Sequence, residues 1–336
     1  MATIKDVAKK VGVTPTTVSR VLNNYGYISE KTRAAVYAAM EELNYQPNEV
    51  ARSLTKKDTN CIGIVLPSIS HPFFSEVLNS LEHHASLRGY KIMVCNSQEN
   101  IEKEQEYLGI LDSNRVSGII LCARSDGAER RLGTSRPMIS FEREVTYEVP
   151  SVLCDNYQGG VMATQRLVDA GCRHLIVLGG TKELHLPANQ RVEAFMDVCR
   201  TRGVEGKTFY ASEDQFNRQN YEAWIETIIR ENEGIDGIFA TSDVMAAQVI
   251  RACCRLKLRV PEDISVVGFD DTSIAALTYP AITSVHQPIE QMCEYAIDAL
   301  VRKIRGEMVP SKIVFPVTLE ERESVRAFSQ DRADEG

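Results

Sequence analysis

Residues 15–23, Pro-Thr-Thr-Val-Ser-Arg-Val-Leu-Asn, place many hydrogen-bonding side chains within a few turns of backbone. At helical spacing Val18, Val21 and Leu22 share one face, which leaves Thr16, Thr17, Ser19, Arg20 and Asn23 as a polar face. The chemistry this face offers is recognition rather than bond making. An arginine bonds guanine bidentately in the major groove, threonine methyls touch thymine, and a serine reaches phosphate. A small helical hairpin with a solvated polar face has the same spacing, so this segment alone leaves both readings open.

The flanking residues must position that face. Thr3 and Asp6 fit a capping box, and Val7, Ala8 and Val11 then form the apolar stripe of a first short helix. Gly12 breaks it, Val13 packs inward, and Thr14 with Pro15 supplies the N-cap and first-turn proline of the second helix. Ser29 caps a third helix through Leu43, with Val36, Met40 and Leu43 facing inward, and Tyr45-Gln-Pro-Asn48 closes it at the proline. The expected head is a small all-α helix-turn-helix over residues 1–47. Asn48 is placed to cap a segment over 49–55, which is too short to be stable alone. It reads either as a charged linker or as a hinge helix over 48–59 that folds against DNA and uses Leu54 as a minor-groove wedge.

Charge is distributed to match. Of 38 Lys/Arg and 46 Asp/Glu in the 336 residues, nine and six fall in residues 1–60, so the head is positive by three and the rest negative by eleven. Local cations release counterions from DNA, whereas an acidic body discourages non-specific coating. The nine cysteines are scattered; the adjacent pair Cys253 and Cys254 falls in a helical segment, so reduced core thiols are expected and a metal knuckle is not. The start of the chain lacks a signal-peptide core and no stretch approaches a membrane span, which predicts a cytoplasmic protein with no membrane association.

From Cys61 onward short apolar runs alternate with helical stretches. Strands are expected at Ile62–Leu66, Lys91–Cys95, Gly118–Cys122, Met138–Phe141, Val152–Cys154, Leu175–Leu178, Gly237–Ala240 and Ile264–Phe269. Helices are expected from about Phe73 and Ile101 and near 157–170, 188–203 and 243–256. This is a doubly wound α/β pattern, whose parallel sheets place functional residues beyond the carboxyl ends of the strands. Pro67 to Phe74, Glu142-Arg143, Asp155-Asn156, Gly179-Gly180, Thr241-Ser-Asp243 and Gly268-Phe-Asp-Asp271 lie there. Asp243 reads as a helix N-cap and Asp271 as a residue that solvates its loop.

Thr3-Ile-Lys-Asp-Val-Ala, Gly12-Val-Thr, Thr17-Val-Ser-Arg-Val-Leu-Asn23, Tyr45-Gln-Pro-Asn48 and Ala51-Arg-Ser-Leu54 resemble the signature of the LacI/GalR (lactose-repressor) family. Ala281-Ile-Thr-Ser-Val-His-Gln-Pro288 and Leu319-Glu-Glu-Arg-Glu-Ser324 resemble its closing segments, so the likeness runs nearly end to end. It implies that residues matching Pro15, Thr16 and Arg20 read bases, and that Leu54 of two subunits enters the centre of a pseudo-palindromic operator. Pro15 has no donor to offer, so the operator cannot be copied from a relative.

The resemblance also implies a two-lobed, periplasmic-binding-protein-like body over residues 60–327, which opens and closes around an effector, and a polar tail over 328–336. Effector contacts are implied at Phe73 or Phe74, Arg191, Phe216, Ser242 and Asp270, with Glu142 as an extra. Arg191 with Asp270 is suited to clamp a diol. The whole is expected to be a homodimeric transcriptional regulator, a repressor of carbohydrate-utilisation genes that binds double-stranded DNA and a sugar-like molecule. A global regulator that needs a phosphorylated protein corepressor is the alternative.

Enzyme readings fail on motif chemistry. Gly203-Val-Glu-Gly-Lys-Thr208 ends like a phosphate-binding loop, but Thr201 stands where that motif needs its first glycine, and the segment reads as a turn. No Gly-x-Ser-x-Gly elbow or His-Glu-x-x-His site occurs, and His83 and His84 point to different parts of a helix surface. No catalytic residue, metal or cofactor is expected. A sugar-transport protein would share the body but has no use for a basic head.

Overall fold

A computed structural model describes residues 2–22, 25–45, 59–122, 136–145, 148–182, 184 and 186–327. The chain divides into two compact units, Met1–Thr59 and Asn60–Gly336.

The first unit holds α1 (Ile4–Val11), α2 (Pro15–Leu22) and α3 (Glu30–Glu42). Local chemistry sets each boundary. Thr3 and Asp6 form the capping box of α1, and Gly12 ends it in the left-handed conformation at φ 75°. The Thr14 hydroxyl accepts from the Thr17 amide at 3.1 Å, so α2 starts three residues later. The Ser29 side chain accepts from the Thr32 amide to start α3. Val7, Ala8, Val18, Val21, Val36 and Ala39 are buried together, with Met40 and Leu43 packed against them. Each fully buried valine contributes roughly 1.5 kcal/mol or more, and an ion pair between Lys10 and Glu42 ties α1 to α3.

In the second unit the first sheet has β1 (Cys61–Leu66), β2 (Lys91–Asn96), β3 (Gly118–Leu121), β4 (Met138–Phe141), β5 (Ser151–Cys154) and β11 (Lys312–Phe315), ordered β11-β5-β4-β3-β1-β2. Its connecting helices are α4 (Pro72–Leu87) and α5 (Ile101–Ser113). The second sheet has β6 (His174–Gly179), β7 (Glu205–Tyr210), β8 (Gly237–Ala240), β9 (Ser265–Asp270), β10 (Thr283–His286) and β12 (Thr318–Glu320), ordered β12-β10-β9-β8-β6-β7. All described pairings are parallel except that of β10 with β12. The remaining helices are α6 (Asn156–Asp169), α7 (Gln190–Arg202), α8 (Glu213–Arg218), α9 (Glu222–Glu231), α10 (Asp243–Arg255), α11 (Ser273–Leu277) and α12 (Ile289–Ile304).

The chain passes between the sheets three times: from β5 into α6, from β10 into α12, and from β11 into β12. Helix α6 packs on the second sheet and on α7, whereas α12 packs on the first sheet and on α4. The Asp155 amide donates to the Phe315 carbonyl and so ties the first passage to the third. The result is a two-lobed body of doubly wound parallel sheets, whose largest buried side chains are Phe141, Phe195, Phe239 and Phe269.

All eight expected body strands lie within one residue of observed ones. The turn expected at Gly203–Thr208 is a correction: Gly203 ends α7 at φ 63°, and the chain runs straight into the edge strand β7, paired with β6. Its polar Glu-Gly-Lys-Thr start hides the strand, because only one side of an edge is covered. Gly206 is needed there, since a Cβ would lie 2.7 Å from the Cys199 sulfur of α7.

Among the described residues no helix is long and apolar enough to cross a membrane, and none group as a metal cluster of three or more His, Cys, Asp or Glu. All nine cysteines are free; Cys254 is exposed and Cys61 half-buried, the others being buried.

Candidate DNA-contacting face and effector cleft

On α2, Thr16 and Arg20 are exposed, while Thr17 and Ser19 are half-buried. The Thr17 hydroxyl lies 2.9 Å from that of Thr14, so it helps to hold the turn as well as facing the polar side. The surface of α2 thus carries a cation and hydroxyls over a rigid apolar base. Asn23, Leu54, residues 48–58 of the expected 48–59 hinge and the tail over 328–336 lie outside the described residues.

In the body, Phe73, Phe74, Glu142, Arg191, Phe216, Ser242 and Asp270 all line one cleft of about 810 Å³, its open mouth included. The lobes supply opposite walls. Phe73 and Phe74 stand in the first turn of α4 and Glu142 follows β4, whereas Arg191 is on α7 and Asp270 ends β9.

Arg191 is the organising residue and is buried. Its Nε donates to Asn156 Oδ1 at 2.7 Å, and its Nη1 donates to the Thr241 carbonyl at 2.8 Å and, more loosely, to Asp270 Oδ1 at 3.4 Å. The guanidinium carbon lies 3.5 Å from the centre of the Phe269 ring, a desolvated cation–π contact. Gly160 brings α6 this close to α7: a Cβ there would lie 2.5 Å from the Arg191 carbonyl oxygen. The diol clamp expected of Arg191 and Asp270 is therefore, in this structure, a mutual ion pair beside the cleft.

The acidic groups are held by the lobe passages. Asn156, the first residue of α6, also donates to Glu142 Oε2 at 3.2 Å, so one amide joins Glu142 of the first lobe to Arg191 of the second. Glu142 Oε1 takes the Cys154 amide. Burial raises the Glu142 pKa, opposed mainly by Arg191. Gln287, on the second passage, donates to Asp270 Oδ1 at 2.8 Å. Asp270 and Asp271 sit at φ 104° and 55°, left-handed conformations that are costly for side-chain-bearing residues. Asp271 is ion-paired with Arg322 and bonded to His286, so it does more than solvate its loop. Beside the cleft, Glu76 of α4 accepts from the Ser273 amide at 3.0 Å, a direct bond between lobes.

Asp243 corrects the N-cap expectation. Ser242 caps α10 by accepting from the Met245 amide, while Asp243 is fully buried and accepts from the Thr272 amide at 2.7 Å and from the Ser284 hydroxyl. Burial, reinforced by Asp270, pushes its carboxyl from 3.8 up to about 8. Between these values the folded protein keeps a proton that the unfolded chain loses, so this group makes stability fall as pH rises across that window. Asp243→Asn is expected to flatten the fall, read as urea-unfolding midpoints at pH values of about 5 and 8. A variant with the wild-type pH slope overturns this.

His71, Leu186, Gln219, Tyr221, Thr241, Met245 and Gln287 also line the cleft and were not singled out from the sequence. Asn156 and Gln287 lay within quoted motifs, but their roles arise from where the chain passes between lobes.

A helix-turn-helix head and a two-lobed body enclosing a cleft lined by charged and aromatic side chains define a DNA-binding transcriptional regulator under small-molecule control. Residues 3–48 match the bacterial regulatory proteins of the lacI family, and residues 164–325 match the periplasmic binding protein-like domain. The chain belongs to the lacI family of bacterial regulatory proteins. The sucrose operon repressor of Streptococcus mutans is 38% identical over 326 residues, which is 97% of this chain and 100% of the relative. The ribose operon repressor of Halalkalibacterium halodurans is 36% identical over 321 residues, 94% of this chain and 96% of the relative. The structure of the lac repressor dimer bound to operator and the anti-inducer ONPF superposes with a TM-score of 0.85 at 26% identity, covering 97% of this chain and 99% of that one.

Proposed function

We propose that the chain is a cytoplasmic, homodimeric repressor of carbohydrate-utilisation genes whose operator binding is set by a sugar-like effector in the interlobe cleft, and that it performs no catalysis. The observation that carries the effector reading is the convergence of Arg191, Asp270 and Glu142 with Phe73, Phe74 and Phe216 in one cleft. Planar hydrogen-bonding groups suit vicinal hydroxyls, and aromatic faces suit the C–H face of a sugar ring. Relatives named as sucrose and ribose operon repressors support the same class.

Thr16, Thr17, Ser19, Arg20 and Asn23 are the proposed major-groove and phosphate contacts, and Leu54 is the proposed wedge at the centre of a pseudo-palindromic site. Residues 1–47 form the proposed DNA-binding domain, 48–59 the hinge and 60–327 the effector and dimerisation domain. Effector binding changes operator affinity only through different affinities for the open and closed lobes.

Selection of bound sequences from a random DNA pool by the purified full chain, at fixed salt, tests the reading. A recovered pseudo-palindrome, bound at least about tenfold more weakly by Leu54→Ala, is the expected result. A featureless pool both with and without added sugars overturns it.

A further inference from the structure

We propose that Glu76 is a latch between the lobes: its bond to the Ser273 amide holds the cleft shut and so sets how tightly an effector is kept. The consequence for ligand affinity rests on the cleft being the effector site; the latch itself does not.

The donor side is built by the second lobe and left open by it. Ser273 is the first residue of α11, and the first amides of a helix have no partner within it. Thr272 stands at the N-cap in an extended conformation but caps none of them with its side chain. Its amide and its hydroxyl both go to Asp243 Oδ2, at 2.7 and 3.1 Å. Thr272 and Asp243 are buried, so the start of α11 is held in place before anything docks on it. The Ser273 amide then bonds Glu76 Oε1 of the first lobe at 3.0 Å.

The acceptor side is equally well placed. Glu76 is half-buried on α4, within a turn of the cleft residues Phe73 and Phe74. A hydrogen bond to a carboxylate is stronger than one between neutral groups. Asp270 lies three residues before Ser273, joined to it through the left-handed Asp271 and the anchored Thr272. A ligand that bridges Phe73 or Phe74 and Asp270 therefore draws together the two segments that the latch joins. Each contact strengthens the other, and opening returns both Glu76 and the amide to water. Glu76 is a positioning residue: it acts on a ligand through the lobes.

The bond can be cut from either side. Glu76→Ala removes the acceptor. Ser273→Pro removes the donor and keeps Glu76, and proline suits the first position of a helix after an extended residue. The readout is the rate at which iodoacetamide alkylates the native cysteines of the full chain, followed by mass spectrometry of the peptides. Cys122 is buried and lines the cleft just after β3 of the first lobe. Cys172, buried before β6, reports global unfolding, and the exposed Cys254 reports reagent activity.

The expected result is that Cys122 reacts about three- to tenfold faster in each variant, with Cys172 and Cys254 unchanged. The double variant should react no faster than the faster single one, because both changes remove the same bond. Fraying confined to α11 would not reach Cys122, so a wild-type Cys122 rate in both single variants overturns the latch. Equal acceleration of Cys122 and Cys172 is unfolding rather than lobe opening, and overturns it as well. Sucrose and ribose test the link to the effector. A sugar that slows Cys122 alkylation in the wild type should bind Glu76→Ala about three- to tenfold more weakly in titration calorimetry. Unchanged affinity overturns the control of binding. If neither sugar slows Cys122 while both variants speed it, the latch stands and the sugar reading of the cleft fails for these two ligands.

Discussion

Arg191→Ala is expected to abolish the effector response while operator binding survives. The guanidinium joins Asn156, Thr241, Asp270 and Phe269 in one place, and its loss strips the cleft of a buried cation and Asp270 of an ion-pair partner. Loss of such a buried anchor lowers affinity by about 2–4 kcal/mol, or roughly thirty- to a thousand-fold. Asp270 is left buried without its counter-charge, and breaking a buried pair costs about 3–5 kcal/mol of stability. Binding should therefore be measured well below the lowered Tm and repeated with Arg191→Lys, which keeps the charge but loses the planar fork. Fluorescence anisotropy on labelled operator, with and without effector, gives both affinities at once. An alanine variant that responds like wild type removes Arg191 from the effector site.

Arg20→Ala is expected to do the reverse. Arg20 is exposed on α2, so its loss should change folding stability by no more than about 0.5 kcal/mol. A bidentate arginine–guanine contact discriminates by about 1–3 kcal/mol. Each half-site should weaken by that amount and lose its preference at one base pair, while effector affinity stays as it was. A uniform loss across all sequences, with a salt dependence shallower by about one ion, would instead make Arg20 a phosphate contact. If Arg20→Ala and Arg191→Ala both lost operator binding, the division of labour between head and body would be wrong.

The head was legible because its boundaries are local. A threonine–aspartate box, a left-handed glycine and a threonine–proline start each act within four residues, and no distant contact is needed to see them. The buried central strands were legible for a related reason: Cys61–Leu66 and Gly237–Ala240 are apolar on both faces, as a sheet covered by helices demands. Strand β7 was not, because its polar residues at the sheet edge carry no such signal.

Within the cleft, the sequence order of Arg191 and Asp270 could be matched to a family pattern, and both line the cleft. Their mutual ion pair and the linking roles of Asn156 and Gln287 could not be read, since these depend on where three separate passages converge. Asp243 was misread for the same reason: its partners Thr272 and Ser284 lie 29 and 41 residues away.

The two passage residues matter for anyone reshaping this protein into a biosensor. Asn156 and Gln287 bond the groups of the proposed effector site and also stand where the chain crosses from one lobe to the other. Exchanging either for the sake of a new ligand is expected to change the resting balance between open and closed lobes, and with it the background output of a reporter gene, before any ligand is added. Phe73, Phe216 and Leu186 line the same cleft from outside those crossings. Ligand choice is best redesigned at these positions, where the dose–response curve can be moved along the concentration axis with its baseline kept.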